Sequence, residues 1–317
     1  MKQHYSSRKI AGVDVGKLRL DAAVHGLDEL IQVANDPAGF AELIDWLRTR
    51  EVVRVGLEAS GGYERGVRAA LEAAAFEVVV HQPIEVRLFA RLKRRRAKND
   101  RLDARLIAAA TVQTEAVKAA QDPGLRDLAE RLTAYEQITD QLAKLRGFME
   151  HVTLEDLAKS LRSQIRSLER LKAALLGEVL RRIKLRADLA ERLKLLVSLP
   201  GVGPIVAASL VVRMPELGAM DRGQAAALLG VAPFDRDSGQ FKGSRFIAGG
   251  RSRPRRMLYL AALSAKRCDQ GFKAFAKRLR DRGKPPKIIA VAVMRKLIEA
   301  ANLVLARGQP WVEQPAT

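Results

Sequence analysis

KIAGVDVGKLRLDAAV, residues 9 to 24, reads as two short β-strands around a tight turn. Lys9 to Val15 is a β-like apolar run, Gly16-Lys17 supplies the turn, and Leu18 to Val24 is the return strand. The following sequence extends this hairpin into a sheet. Leu30 to Ala34 is a third strand. Asn35-Asp36-Pro37 starts a helix that runs to about Arg50, with a capping side chain and a proline in the first turn. Val52 to Glu58 is a fourth strand, Tyr63 to Ala75 a helix, and Phe76 to Val80 a fifth strand. Helix resumes after Pro83 and again through Asn99 to Thr111. Three strands, then strands alternating with helices, predict a mixed sheet with helices on its faces.

Beyond Asp122-Pro123-Gly124 the period changes. Leu125, Leu128, Leu132, Tyr135, Ile138, Leu142 and Leu145 recur at helical spacing, as do Leu161, Ile165, Leu168, Leu171, Leu175, Val179 and Ile183. Val152 to Asp156 breaks the two runs, with Thr153 as the expected cap. Two charged helices with narrow apolar stripes suggest an antiparallel pair or an intermolecular coiled coil; the alternative is an ordinary helical bundle domain, and the sparse apolar content favours a coiled coil. From about Leu195 the chain is helical and loop-rich. The division expected is 1–120, 121–194 and 195–317.

The 317 residues carry 56 Lys and Arg against 36 Asp and Glu, a net charge of +20, with 48% hydrophobic residues. That hydrophobic content suits cores rather than a disordered tail. The charge calls for a polyanionic partner, nucleic acid first and an anionic membrane surface second. The longest apolar runs fall short of a membrane span, and no signal peptide is evident, so a soluble cytoplasmic protein with no membrane partner is expected. One cysteine, Cys268, leaves no internal disulfide and no cysteine-based zinc site, and the four histidines lack ligand spacing. Any metal is expected on oxygen ligands.

Candidate oxygen ligands stand out. Asp14 sits in an apolar strand and Glu58 ends another, where a charge needs a partner to offset desolvation. In KRRRAKNDRLDARL, residues 93 to 106, Asp100 and Asp103 share one helix face. Asp100 can pair with Arg96, one turn earlier. Asp103 has only Asn99, Asp100, Leu106 and Ile107 at that spacing, so like charges stand together unless a cation lies between them. Each carboxylate alone reads as an ordinary surface group. Together, in a basic protein, the four suit Mg²⁺ or Mn²⁺ and phosphodiester chemistry.

The last third adds three motifs. LPGVGP, Leu199 to Pro204, lies between helical stretches in the form of a helix-hairpin-helix. Gly201 and Gly203 there expose backbone N–H groups to a phosphate, or simply serve a helix–helix turn. Asp237-Ser238-Gly239 is by its residues a common turn, with Lys242, Arg245, Arg251, Arg253, Arg255 and Arg256 nearby. The runs Lys93, Arg94, Arg95, Arg96 and Arg251 to Arg256 read as phosphate-contacting patches or solvated faces. Aromatic residues are only 5% of the chain, which argues against extensive base stacking.

DVGK, LEASGGYE and KNDRLDA resemble the motifs of the DEDD transposases of insertion sequences, relatives of the Piv DNA invertase that include the bridge-RNA-guided recombinases. The resemblance spans the whole chain. It implies an α/β plus α architecture: an RNase H-like (RuvC-like) domain over 1–120, a helical coiled-coil oligomerisation segment over 121–194, and a mainly helical transposase domain over 195–317. It implies a metal-binding tetrad of Asp14, Glu58, Asp100 and Asp103. Gly230-Val231-Ala232-Pro233 fits the segment that precedes the family's nucleophilic serine, which places that role on Ser238, with Ser244 as fallback. Asp237 departs from members with a second serine at that position. The resemblance further implies donor and target DNA, a structured guide RNA, and a homo-oligomer, dimer or tetramer, whose acidic and serine domains meet across protomers. A junction resolvase or nuclease using water would need the carboxylates and not the serine. A non-catalytic DNA-binding protein would need neither.

Overall fold

The computed structural model describes residues 9–93, 100–114, 122–234 and 246–312. The chain divides into two compact units, Met1–Gln121 and Asp122–Thr317.

The first unit is built on five strands: β1 (Lys9–Val15), β2 (Arg19–Val24), β3 (Leu30–Ala34), β4 (Val52–Glu58) and β5 (Glu77–His81). The sheet order is β3-β2-β1-β4-β5. β1, β2 and β3 pair antiparallel, whereas β4 runs parallel to β1 and β5 parallel to β4. This is the mixed sheet expected. Four helices are described: α1 (Pro37–Thr49), α2 (Glu64–Ala73), α3 (Pro83–Leu92) and α4 (Asp100–Val112). Asp36 caps α1 by accepting from Gly39 N at 2.9 Å.

Strand alternation divides the helices between two faces. Ala11, Val13, Val15, Val55 and Leu57 share a core with Leu43 and Leu47 of α1 and Val67 and Leu71 of α2. Fully burying each leucine contributes about 1.5–3 kcal/mol. The alternate residues, Gly12, Asp14, Gly56 and Glu58, therefore face the other side. There α4 packs on β1, β2 and β4, with α3 against it.

The second unit begins with α5 (Pro123–Met149) and α6 (Glu155–Lys184). They pack on each other within one chain, and the pairs Asp127–Arg182 and Glu169–Arg146 make them antiparallel. The cap of α6 is Leu154 rather than Thr153, and it lacks a side-chain hydrogen bond. Glu155 and Asp156 in the first turn provide the favourable charge at the helix end instead. Then follow α7 (Ala187–Val197), α8 (Pro204–Arg213), α9 (Arg222–Leu229), the strand pair β6 (Pro233–Phe234) and β7 (Phe246–Ile247), α10 (Ser252–Cys268), α11 (Gln270–Asp281) and α12 (Pro286–Arg307). Leu125, Leu128, Leu132, Val179 and Ile183 share one core with α7 to α12, so this end of the α5–α6 pair is part of the helical body. No described helix is long and apolar enough to cross a membrane.

Candidate active site

Asp14 and Glu58 occupy corresponding positions at the carboxyl ends of adjacent parallel strands. The ladder pairs Val13 with Leu57, and both acids come one residue later. Both are half-buried. The parallel pairing of β1 with β4 places these two carboxylates side by side, although 44 positions separate them in sequence.

Helix α4 reaches the same corner because two glycines let it lie on the sheet. A Cβ on Gly12 would stand 2.9 Å from Ala108 Cα and closer still to Ala104 O and Ala108 N. A Cβ on Gly56 would overlap Thr111 Oγ1 and stand 3.2 Å from Ile107 Cγ2. The direction of α4 follows from its far end. Arg54, near the start of β4, donates to Thr114 O at 2.8 Å, so α4 runs antiparallel to β4. Its amino end, with half-buried Asp103, thus lies towards the strand ends that hold Asp14 and Glu58. Asp100 is the first residue of α4, and its side chain lies outside the described set.

The loops around the carboxylates are tied down by groups that the motif reading passed over. Asn35 Nδ2 donates to Gly16 O at 2.8 Å and to Tyr63 O at 3.2 Å, joining the loop after Asp14 to the loop after Glu58. Glu64 accepts from Ser60 N at 3.0 Å, Ser60 Oγ at 3.2 Å and Gly62 N at 2.9 Å. Partial burial opposes its ionisation, but the donors on the Glu64, Ser60 and Gly62 backbone and the Ser60 hydroxyl outweigh that, and its pKa falls below the ordinary 4.5. The signal available was the spacing Ser60…Glu64 inside LEASGGYE, a serine one helical turn before an acid. On β5, His81 pairs with Glu58 in register, and its Nε2 lies 2.9 Å from Thr111 Oγ1. Thr111 Oγ1 donates in turn to Ile107 O at 2.7 Å. Burial lowers the pKa of His81 below the ordinary 6.5, against the opposing pull of Glu85. The His81–Thr111 contact thus joins β5 to α4 through a neutral imidazole.

The donor chemistry fits a hard divalent cation: Asp14, Glu58 and Asp103 offer carboxylate oxygens, on a face that two glycines open to a closely packed helix. Among the described residues, no group of three or more His, Cys, Asp or Glu side chains is closed enough to hold a metal by itself.

In the second unit, Ser238, Lys242, Ser244 and Arg245 lie outside the described residues, as do Arg94, Arg95 and Arg96 of the first. Lys93 is exposed and sits over the Phe89 ring at 5.6 Å. The flanks of the Ser238 segment are described, and they are held together. Pro233 pairs with Ile247 and Phe234 with Phe246. Arg255 Nη1 donates to Gly230 O at 3.2 Å and Gly249 O at 2.6 Å, one carbonyl on each flank.

The rest of the Arg251 to Arg256 run also has partners within the chain. Arg251 holds Glu216 and Arg213 O at 2.6 Å or 2.7 Å. Arg253 reaches Glu136 on α5 at 2.6 Å, where Arg213 of α8 also bonds, and Arg256 pairs with Asp140. Glu136 is only 5% exposed. LPGVGP forms the turn between α7 and α8. Gly201 has φ +75°, and a Cβ there would stand 2.6 Å from Ala265 N of α10, so its place is a close packing contact. Gly203 caps α8, and a Cβ there would meet open space.

Comparison with known proteins bears on the whole chain. Residues 11–155 match the DEDD transposase domain of the IS110 family, and residues 193–277 match the transposase domain described as IS116/IS110/IS902 family. The pilin gene-inverting proteins of Moraxella bovis and Moraxella lacunata are each 25% identical over 96% of this chain and 98% of their own length. RuvC of Thermus thermophilus, solved alone and in complex with a Holliday junction substrate, is 17% identical. The complex covers 33% of this chain and 92% of RuvC with a TM-score of 0.28, and the free structure 32% and 91% with 0.25. The two family matches take in most of the sequence, and the chain belongs to the IS110 family of transposases, recombinases that act on DNA.

Proposed function

We propose that this protein moves an insertion sequence by cutting and rejoining DNA through a covalent serine intermediate. Asp14, Glu58, Asp100 and Asp103 hold Mg²⁺, or Mn²⁺, at the carboxyl ends of β1 and β4. A divalent ion held there supplies positive charge for the phosphoryl oxygens and for an attacking hydroxyl. The observation that carries the reading is the adjacency of Asp14 and Glu58, with the amino end of α4 laid towards them. In the reaction, Ser238 Oγ bonds to the scissile phosphorus as one sugar P–O bond breaks, and the serine proton passes to the displaced sugar oxygen. Attack by the hydroxyl of a new DNA end reverses the exchange. The number of phosphoester bonds is conserved, so rejoining needs no nucleotide hydrolysis. The clamped flanks of the Ser238 segment suit a nucleophile that must be presented in one place.

Two duplexes must be handled together, which requires a homo-oligomer. Phe148, Leu154 and Leu157, all exposed at the tip of the α5–α6 pair, are the apolar surface for a second copy. The family resemblance assigns sequence choice to a structured guide RNA; the basic, aromatic-poor composition supports this only in that it offers backbone contacts more readily than base readout.

The test is to incubate the protein with its flanking RNA, labelled donor and target DNA and Mg²⁺, then denature and look for a protein–DNA adduct. The adduct is expected, and it disappears in Ser238→Ala and in Asp14→Asn. Cleavage without an adduct, untouched by Ser238→Ala, would mean that water is the nucleophile. Loss of the adduct in Ser244→Ala alone would move the role to Ser244.

A further inference from the structure

We propose that the outward face of α11, with the turn that follows it, is the duplex-DNA backbone contact of the second unit. Residues 266–297 contain eleven Lys and Arg against two Asp, nearly half of the chain's excess of +20. One of the two acids, Asp269, is 6% exposed and caps α11 by accepting from Phe272 N at 2.8 Å. Its charge is turned inward. Asp281 is the one exposed acid of the segment.

The cations are on the surface. Lys273, Lys277, Arg278, Arg280, Arg282, Lys284 and Lys287 are all exposed. Among the described residues, none of these seven makes an ion pair or a side-chain hydrogen bond. Ten arginines of the same unit, by contrast, are held by acids of the chain. Arg131, Arg146, Arg162, Arg181, Arg182 and Arg186 each hold a carboxylate. So do Arg213, Arg251, Arg253 and Arg256. A surface of this kind lacks an internal counter-charge, and a polyanion supplies one by releasing its own counterions.

Geometry narrows the partner. Lys273, Lys277 and Arg280 fall at i, i+4 and i+7, one stripe along α11. They span about 10 Å of helix axis, roughly three base-pair steps of a duplex. Arg282, Lys284 and Lys287 continue the charge into α12. The apolar residues of α11 face inward: Phe272 and Ala276 are buried, and Phe275 lies under Lys296 at 4.3 Å. An interfacial membrane helix would instead present its apolar side to lipid. No aromatic ring stands on the outward stripe to stack unpaired bases, which argues for a duplex over a single strand. The choice of DNA over duplex RNA rests on the recombinase reading.

The test is binding in EDTA, where no bond is cut, so its outcome is independent of the catalytic assignment. The full chain is titrated with a labelled DNA duplex of arbitrary sequence across a range of salt concentrations. Lys273→Gln/Lys277→Gln/Arg280→Gln should weaken binding and flatten the salt dependence of log affinity by up to about 2.7, about 0.9 for each lost phosphate contact. A control of equal charge, Lys159→Gln/Arg166→Gln/Arg170→Gln on exposed positions of α6, should change the slope by less than one contact. Unchanged far-ultraviolet circular dichroism and melting confirm that both proteins are folded. Equal flattening in both variants means that net charge alone is at work and overturns the proposal. So does an unchanged slope in the α11 variant, or a loss confined to duplex RNA.

Discussion

Replacing Gly12 with alanine tests whether the close approach of α4 builds the site. The added Cβ would stand 2.9 Å from Ala108 Cα, against ordinary contacts of 3.4–4 Å, and closer to two backbone atoms of the same helix. The obstacles are backbone, so no rotamer change relieves them. Ala104, Ile107 and Ala108 are 0% exposed, and the helix has no slack beneath it. To clear the methyl group α4 must rise by about 1 Å, an overpacking that costs about 1–3 kcal/mol. Asp103 precedes Ala104 and moves with it. A misplacement of about 1 Å in a reacting constellation lowers rates about 10²-fold. The assay pairs the rate of protein–DNA adduct formation with the urea midpoint and the Mg²⁺ concentration for half-maximal rate. Gly12→Ala should lose about 10²-fold in rate and need more Mg²⁺, while remaining folded. Gly147→Ala, in α5 where a Cβ meets nothing within 4 Å, should be neutral or more stable by up to about 1 kcal/mol. A Gly12→Ala protein with the parent's rate, Mg²⁺ requirement and urea midpoint would refute the close packing and with it the placement of Asp103.

Two further outcomes follow from the side chains. Glu136→Ala leaves the Arg213 guanidinium, 8% exposed, without its carboxylate, and should lower stability by about 3–5 kcal/mol in urea denaturation. Arg253→Ala removes a partner that is 45% exposed and should cost no more than about 1 kcal/mol. Acid should loosen the first unit through His81: its folded pKa is lowered, so the unfolded chain binds more protons below pH 6.5, and the stability present above 6.5 is lost as pH falls towards the folded value. His81→Gln should flatten that decline in melting temperature, and an unchanged profile would place the titration elsewhere.

Sheet and helices were legible because each element follows one period. Alternation along residues 9–24 and 52–58 and helical spacing from Leu125 onward are local signals, and the elements fall within a few residues of the expected bounds. The convergence of Asp14 with Glu58 was legible as a family pattern only, because it depends on a parallel pairing across 44 positions. The glycines show the limit more finely. Glycines follow both acids, Gly16 after Asp14 and Gly61-Gly62 after Glu58. Those that admit α4, Gly12 and Gly56, each precede an acid by two residues and so share its face of the sheet. The repeated spacing Gly-x-Asp and Gly-x-Glu was there to be read. Without the helix, nothing local gave it a meaning.

Charge was the least legible property, for a physical reason. A run such as Arg251 to Arg256 looks the same whether its counter-charge is a phosphate or a carboxylate of the same chain. Arg253 and Arg256 find Glu136 and Asp140 at separations of 117 and 116 residues, contacts that no local window contains. The cations of α11 are diluted by the apolar residues of an amphipathic helix, so they make no conspicuous run, yet the fold leaves them exposed without a carboxylate partner among the described residues. Desolvation separates the two cases. Phosphate must displace the carboxylates from the arginine run, one of them the buried Glu136, which would lose Arg253 and keep only Arg213 as a guanidinium partner. On α11 it displaces only water and mobile ions. For equal numbers of contacts, the scattered cations therefore make the stronger docking surface.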